Sequence, residues 1–291
     1  MKPFQTPHPE HRGYRILETD PMPSFSYSLN GSTIRTTPVL DQIKVASETG
    51  YQALEIWHDK VDEYVESGGT VREIRRALDD SGLAVPTTIY LSGWFDSTGD
   101  GHAKALEECK RRMDQAVELG AEHVISGPPL GTASVDLGAE NYYELCEVGR
   151  AMGVKPAMEF LGFVEQLNTI EAALEVMEKS GHPAACTILD PFHIFRGGGS
   201  VESIAQLTAA QVAISHFNDI PPEPPRVEQH DRHRVLPGEG IFDLQRYVGL
   251  LVQIGYSGYL SLELFREDLW NADPHDVAAV GLEKMRAVVK M

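Results

Sequence analysis

The chain has 291 residues, 42% of them hydrophobic, and sets 43 acidic against 25 basic side chains for a formal net charge of −18. That is enough apolar material for a sizeable core, and it excludes a chain disordered across its body. The acidic balance opposes a phosphate backbone, which is gripped by clustered Lys and Arg, and so excludes a nucleic-acid partner; no run approaches the ~18 apolar residues of a membrane span.

Residues 1–23, rich in Pro and polar groups, read as an N-terminal extension, and the body runs over 24–291. The first strand-like run is 24–29 (S-F-S-Y-S-L). Thr37 and Pro38 then open a helix, Thr37 as its cap and Pro38 at the first helical position, which closes at Gly50. A strand at 53–57 (A-L-E-I-W) precedes a helix with Val71, Ile74 and Leu78 on one face and a stop at Gly82. The run 84–91 leads to the helical A-K-A-L-E-E-C-K-R-R-M-D-Q-A-V-E-L-G-A, and 123–127 leads to N-Y-Y-E-L-C-E-V-G-R-A-M-G. Runs 155–160 and 186–195 flank the helix T-I-E-A-A-L-E-V-M-E-K-S-G. A short helix, V-E-S-I-A-Q-L, precedes the run 212–219. A long loop over 220–240 carries Pro221, Pro222, Pro224, Pro225 and Pro237. The helix L-Q-R-Y-V-G-L-L-V-Q-I-G, the run 258–264 and a final helix from Pro274 complete the chain.

The repeated phrase is a helix, a Gly and a strand. Eight such units in about 270 residues predict an α/β fold, a closed (β/α)8 TIM barrel in a single domain. An open doubly wound sheet would carry a Gly-rich fingerprint after its first strand, and L-N-G-S-T-I-R-T-T-P does not match one. Three scattered cysteines (Cys109, Cys146, Cys186) read as buried thiols rather than a disulfide framework. With no apolar signal core in M-K-P-F-Q-T-P-H-P-E-H-R-G, a cytoplasmic protein is expected.

Four of the last runs end in a potential metal ligand: Glu159 in K-P-A-M-E-F, Asp190 in C-T-I-L-D-P-F-H, His216 in V-A-I-S-H-F-N-D and Glu263 in Y-L-S-L-E-L-F. A carboxylate on a buried strand is costly unless it is paired or bound to a cation. Taken singly, each is as readily a helix cap, an Arg partner or a satisfied core histidine. Barrel chemistry sits at the C-terminal strand ends, and separations of 31, 26 and 47 residues put one of these side chains on each of four consecutive strands. Three oxygens and one imidazole suit one divalent ion, Mn²⁺, Mg²⁺ or Co²⁺, and admit Zn²⁺.

With these residues the chain resembles the sugar phosphate isomerase/epimerase superfamily, the xylose isomerase-like barrels. The resemblance covers about residues 24–290 and is carried by G-Y-Q-A-L-E-I-W, A-M-E-F, L-D-P-F-H, S-H-F-N-D, R-V-L-P-G-E-G and Y-L-S-L-E-L. The ligand spacing is similar to that of ketose 3-epimerases and inosose isomerases. The resemblance implies Glu159 and Glu263 as catalytic acid and base, His193 as a substrate contact, and Arg234 as the loop arginine, with Arg232 as a competitor. It implies an isomerase or epimerase that moves a proton next to the carbonyl of a keto-sugar or cyclitol.

Trp57 and His58 follow the second strand and Trp94 the third. At a barrel mouth they would line a polyol site; packing under a loop is the alternative. Asp96 and His102 share that alternative. Gly197-Gly198-Gly199-Ser200 reads as a turn rather than an anion cradle, and H-D-R-H (230–233) as a mobile solvated loop rather than a second metal site. Glu239 is placed to orient its loop or to meet Arg234. The expected partner is a small polyol or keto-sugar, with no membrane and a homo-oligomer left open. The alternatives are a metal-dependent lyase or dehydratase on a keto-sugar or keto-glycoside, an endonuclease IV-like nuclease, and a non-catalytic binding barrel. The charge and the absence of a His-rich ligand set count against the nuclease, and the four-ligand set counts against the binding barrel.

Overall fold

Alternation along single strands decides what faces the barrel axis. In A-L-E-I-W, Leu54 and Ile56 join the large core under the helices, while Trp57 packs on a second, smaller cluster formed by Ile89, Ile125, Ala157, Cys186, Ile188 and Ile214. A computed structural model describes residues 25–290, so the extension over 1–23 lies outside the described residues. Its strands are β1 (Ser26–Asn30), β2 (Ala53–Trp57), β3 (Thr87–Leu91), β4 (His123–Ser126), β5 (Lys155–Met158), β6 (Cys186–Leu189), β7 (Val212–Phe217) and β8 (Tyr259–Leu262). All neighbours pair in parallel, and β8 pairs with β1 to close the barrel. This is the predicted (β/α)8 barrel in one domain.

The helices are α1 (Val39–Thr49), α2 (His58–Glu66), α3 (Val71–Ser81), α4 (Gly99–Leu119), α5 (Val135–Met152), α6 (Ile170–Ser180), α7 (Pro191–Gly197), α8 (Leu244–Gln253), α9 (Glu267–Trp270) and α10 (Pro274–Lys290). The helix–Gly–strand phrase is a left-handed cap: Gly50, at φ 91°, returns its N–H to the carbonyls of Ala46 and Ser47 and releases the chain into β2. Three expectations are corrected. Pro38, not Thr37, stands at the N-cap of α1. The run 186–195 is a strand only to Leu189, because Asp190 caps α7 and Pro191 opens it. The segment V-E-S-I-A-Q-L forms a 3-10 turn over Val201–Gln206 rather than an α-helix. Among the described residues no helix is long and apolar enough to cross a membrane, and the three cysteines are buried free thiols.

Candidate functional site

The four predicted side chains stand at the C-terminal rim. Glu159, Asp190 and Glu263 each follow the last residue of β5, β6 and β8, and His216 lies one residue before the end of β7. Ala157, Ile188 and Ile214 fill the barrel interior two residues below Glu159, Asp190 and His216, so strand alternation turns all three inward over the same layer. All four are buried.

Asp190, His216 and Glu263 converge, with one ligand atom of each within 4.8 Å of the others. His216 Nδ1 is 2.9 Å from Glu263 Oε2 and 3.4 Å from Asp190 Oδ2. Glu159 stands at the edge of this cluster, its Oε1 3.9 Å from His216 Nδ1 and 3.8 Å from His193 Nε2. The two oxygens of Asp190 divide their work. Oδ1 caps α7 by accepting from Phe192 N–H (2.8 Å) and also accepts from Asn218 Nδ2 (3.0 Å); Oδ2 faces His216 and Arg234.

Arg234, not Arg232, is the arginine brought to the site. Its Nη1 donates to Asp190 Oδ2 (2.7 Å) and to Glu263 Oε2, and its Nη2 donates to Asp231 Oδ1 (2.7 Å). The same Nη2 lies 3.1 Å from His193 Nε2. Arg232 is exposed. The loop that carries Arg234 is pinned rather than mobile. Asp219 Oδ1 accepts from the N–H groups of Ile220 and Phe242, and Oδ2 from those of Gly238 and Gly240. A Cβ on Gly240 would meet Asp219 Oδ1 at 2.3 Å, which is why P-G-E-G needs a glycine there. Arg196 adds bonds to the carbonyls of Gln229 and Val227, and Glu239 pairs with Lys284 on α10 instead of with Arg234.

A pocket of about 180 Å³ opens onto this cluster, lined by Trp57, Ile89, Tyr90, Glu159, Leu161, His193, His216, Asp231, Arg234, Glu263 and Phe265. Ile89 and Tyr90 are consecutive yet both line it, where the β3–β4 register shifts. Trp57 meets Phe265 edge to face at 5.9 Å. Trp94 and His58, expected as substrate contacts, do not line the pocket. Trp94 is fully buried beside the rings of Phe95 and Tyr142, and the buried His58 turns its Nδ1 to Gln115 of α4. Asp96 is exposed, and His102 bridges Ser97 and Glu144 outside the pocket. Gly198 is the left-handed cap of α7, and an added Cβ on Gly197 would meet Asn168 O at 1.9 Å, so these glycines serve close packing.

Two polar side chains of the site were missed. Glu55, at the middle of β2, is a fully buried carboxylate with Oε1 3.4 Å from His216 Nε2. Asn30, the last residue of β1, donates from Nδ2 to Glu55 Oε1 and Glu263 Oε1, both at 3.0 Å, and accepts from Trp57 Nε1 at 2.8 Å. The signal for Glu55, a carboxylate inside an apolar run, was present in A-L-E-I-W. Asn30 gave none, since a strand-end Asn is ordinary turn chemistry.

The family model for xylose isomerase-like TIM barrels matches residues 43–288. The chain belongs to that family. An inosose isomerase of Bacillus velezensis is 25% identical over 268 residues, covering 89% of this chain and 94% of the relative. A 3-dehydroshikimate dehydratase of Pseudomonas aeruginosa is 27% identical over 251 residues, covering 84% of this chain and 39% of that protein. A crystal structure of the IOLI protein with a bound zinc atom superposes with a TM-score of 0.85 at 24% identity, covering 91% of this chain and 98% of that one. Like these relatives, this xylose isomerase-like barrel is an enzyme.

The electrostatics of this xylose isomerase-like site call for a cation. Four buried carboxylates (Glu55, Glu159, Asp190, Glu263) face the Arg234 guanidinium and the His216 imidazole. Burial raises Glu159 well above the usual carboxylate range; His216 opposes this, but the charges of Glu263 and Asp190 add to it. Burial would raise Asp190 too, yet Arg234, then His193 and His216, hold it well below that range. His216 goes the other way: burial disfavours its charge, but Glu263 and Glu55 outweigh this and push its pKa well up. Burial brings His193 down to about 4, so its ring is neutral near pH 7. Its Nδ1 accepts from Gly162 N–H (3.2 Å), which leaves the proton on Nε2.

The donor set fits a divalent ion. Both ring nitrogens of His216 are buried without a hydrogen-bond partner, and Nδ1 is aimed at two carboxylate oxygens. Those oxygens have lone pairs for both Arg234 and an ion. Among the described residues, Asp190, His216 and Glu263 are therefore a candidate divalent-metal centre.

Proposed function

We propose that this protein is a divalent-metal-dependent isomerase or epimerase acting on an unphosphorylated keto-sugar or cyclitol of the inosose kind. The observation that carries the reading is the unequal holding of the two glutamates that line the pocket. Glu263 is fixed by Asn30 and Arg234, while Glu159, among the described residues, has no side-chain hydrogen bond. An unbonded carboxylate beside neutral His193 is suited to carry a proton; a fixed one is suited to hold position.

An ion held by Glu159, Asp190, His216 and Glu263 would polarise a substrate carbonyl and its neighbouring hydroxyl, acidifying the adjacent C–H. The hard donors favour Mn²⁺, Mg²⁺ or Co²⁺, and Zn²⁺ fits the imidazole. With the ion bound, Glu159 would be ionised despite its burial and could take the proton from that carbon. A proton delivered to the same carbon from the other side by a water that the fixed Glu263 orients, with Glu159 releasing its own proton to solvent, would give the epimer; return of the proton by Glu159 to the neighbouring carbon of an enediol would give the aldose–ketose isomer. His193 Nε2–H and Arg234 Nη2, two donors 3.1 Å apart, offer one substrate oxygen a shared site. Trp57 and Phe265 offer apolar walls to the C–H face of the ring. Among the described residues Arg234 is the lone arginine lining the pocket and is already shared among three carboxylates, which leaves a phosphate without a partner there. The dehydratase relative supports a second reading, elimination of a leaving group beta to the carbonyl from the same acidified C–H.

The test is metal-dependent incorporation of solvent deuterium into a panel of keto-sugars and inososes. Glu159→Gln is expected to abolish it in a folded protein. Full exchange in that variant would remove Glu159 as the base.

A further inference from the structure

We infer that Glu55 is a positioning residue that holds His216 by Nε2 and thereby presents Nδ1 to Asp190 and Glu263. Glu55 lies deeper than the rim, in the middle of β2, and is not one of the side chains that converge on the candidate centre. Its carboxylate is fixed by three donors of its own. Asn30 Nδ2 (3.0 Å) and Ser261 Oγ give to Oε1, and Thr87 Oγ1 gives to Oε2. The oxygen so fixed stands 3.4 Å from His216 Nε2, an ion-pair contact to a nitrogen that, among the described residues, has no hydrogen-bond partner.

An ionised carboxylate can only accept, so the imidazole proton belongs on Nε2. In the metal-bound protein the lone pair would then be on Nδ1, the nitrogen that lies 2.9 Å from Glu263 Oε2 and 3.4 Å from Asp190 Oδ2. Without Glu55 a neutral ring could carry its proton on either nitrogen, and the Nδ1–H tautomer would turn a donor towards the carboxylates that would hold the ion. A carboxylate behind a ligating histidine also raises the basicity of the ligating nitrogen. Asn30 couples the parts: its amide holds Glu55 Oε1 and Glu263 Oε1 at equal distance, so imidazole and carboxylate are set in one frame.

The inference rests on the metal reading proposed above, and its test separates the two. Zn²⁺ affinity is measured on the full chain by chelator competition for wild type, Glu55→Gln and Glu55→Leu, alongside the unfolding midpoint of each metal-free protein. Long-range ¹H–¹⁵N correlation on histidine-labelled, zinc-loaded wild type reports which nitrogen of His216 holds the proton. The expected result is Nε2–H with Nδ1 bound to zinc. Gln can keep its oxygen towards Asn30 and Ser261 with its NH₂ towards the Thr87 hydroxyl, which can accept, so Glu55→Gln should stay folded while its zinc affinity falls about 10-fold to 100-fold. A folded Glu55→Leu should fall at least as far. Wild-type affinity in Glu55→Gln, or zinc on Nε2, overturns the role of Glu55 while leaving the enzyme reading intact. A wild-type chain that binds no divalent ion overturns both.

Discussion

Arg234 Nη1 lies 2.7 Å from Asp190 Oδ2 and also donates to Glu263, so one buried guanidinium serves two of the carboxylates that converge on His216. Removing one partner of a buried pair leaves the other charges uncompensated, at about 3–5 kcal/mol. Arg234→Gln should therefore lose stability of that order in chelator, read by urea unfolding. Added Mn²⁺ or Zn²⁺ should recover part of the loss, because a cation meets the same oxygens. Equal stability of variant and wild type in chelator would show that Arg234 does not balance the cluster.

The position of Arg234 depends in turn on Asp219, which accepts from four backbone N–H groups. Asp219→Asn would turn an amide NH₂ against two of those donors, and each buried donor left unpaired costs about 1–3 kcal/mol. The loop should then open locally. The expected readouts are faster hydrogen exchange over residues 236–243 and a raised KM for whichever substrate the deuterium screen identifies. Unchanged exchange would mean that other contacts, such as those of Arg196, suffice to hold the loop.

The barrel was legible because its units are repeated: a helix stopped at Gly and followed by an apolar strand needs no tertiary information. The buried rim carboxylates were legible because Glu159, Asp190 and Glu263 interrupt or end apolar runs, where a charge is conspicuous. Depth within the barrel was not legible. Glu55 carries the same signal as Glu159, yet only alternation along β2 against the filled interior shows it below the rim rather than at it. Proximity in sequence to a strand end also misled. Trp94 is three residues past β3, but that loop packs back under α5 through Asn141, whose amide donates to the carbonyls of Trp94 and Phe95. The pinned loop 220–240 escaped for a related reason, since its anchor, Asp219, acts through backbone groups that every residue has.

His58 gives a pH dependence whose sign is fixed by burial. Burial brings its pKa down to about 4, with the Gln115 hydrogen bond opposing this. The unfolded imidazole titrates near ~6.5. Between these values the unfolded chain binds the proton and the folded one does not, so the contribution is complete above the unfolded value and is lost as pH falls towards 4. The slope is about 1.4 kcal/mol per pH unit for this one group. Urea midpoints at several pH values between 7 and 4.5 should fall less steeply in His58→Gln than in wild type, both in chelator. Parallel curves would mean that the folded protein protonates His58 without difficulty.

The two tryptophans should separate when each is truncated. Trp94 is fully buried, with ring centroids of Phe95 and Tyr142 at 5.2 and 5.8 Å, and it does not line the pocket. Trp94→Ala should cost about 3–5 kcal/mol in stability, as large aromatic truncations in a core do, and leave KM unchanged where the protein is folded. Trp57 lines the pocket wall and is held through Nε1 by Asn30. Trp57→Ala should cost less stability and raise KM. Trp57→Phe keeps an aromatic wall but removes one of the two donors to Asn30 Oδ1, the other being Ser32 N–H, so it should lower kcat more than it changes KM if the orientation of Glu263 by Asn30 matters to proton transfer. A Trp94 variant with raised KM and wild-type stability would reverse the assignment and return that side chain to the substrate wall.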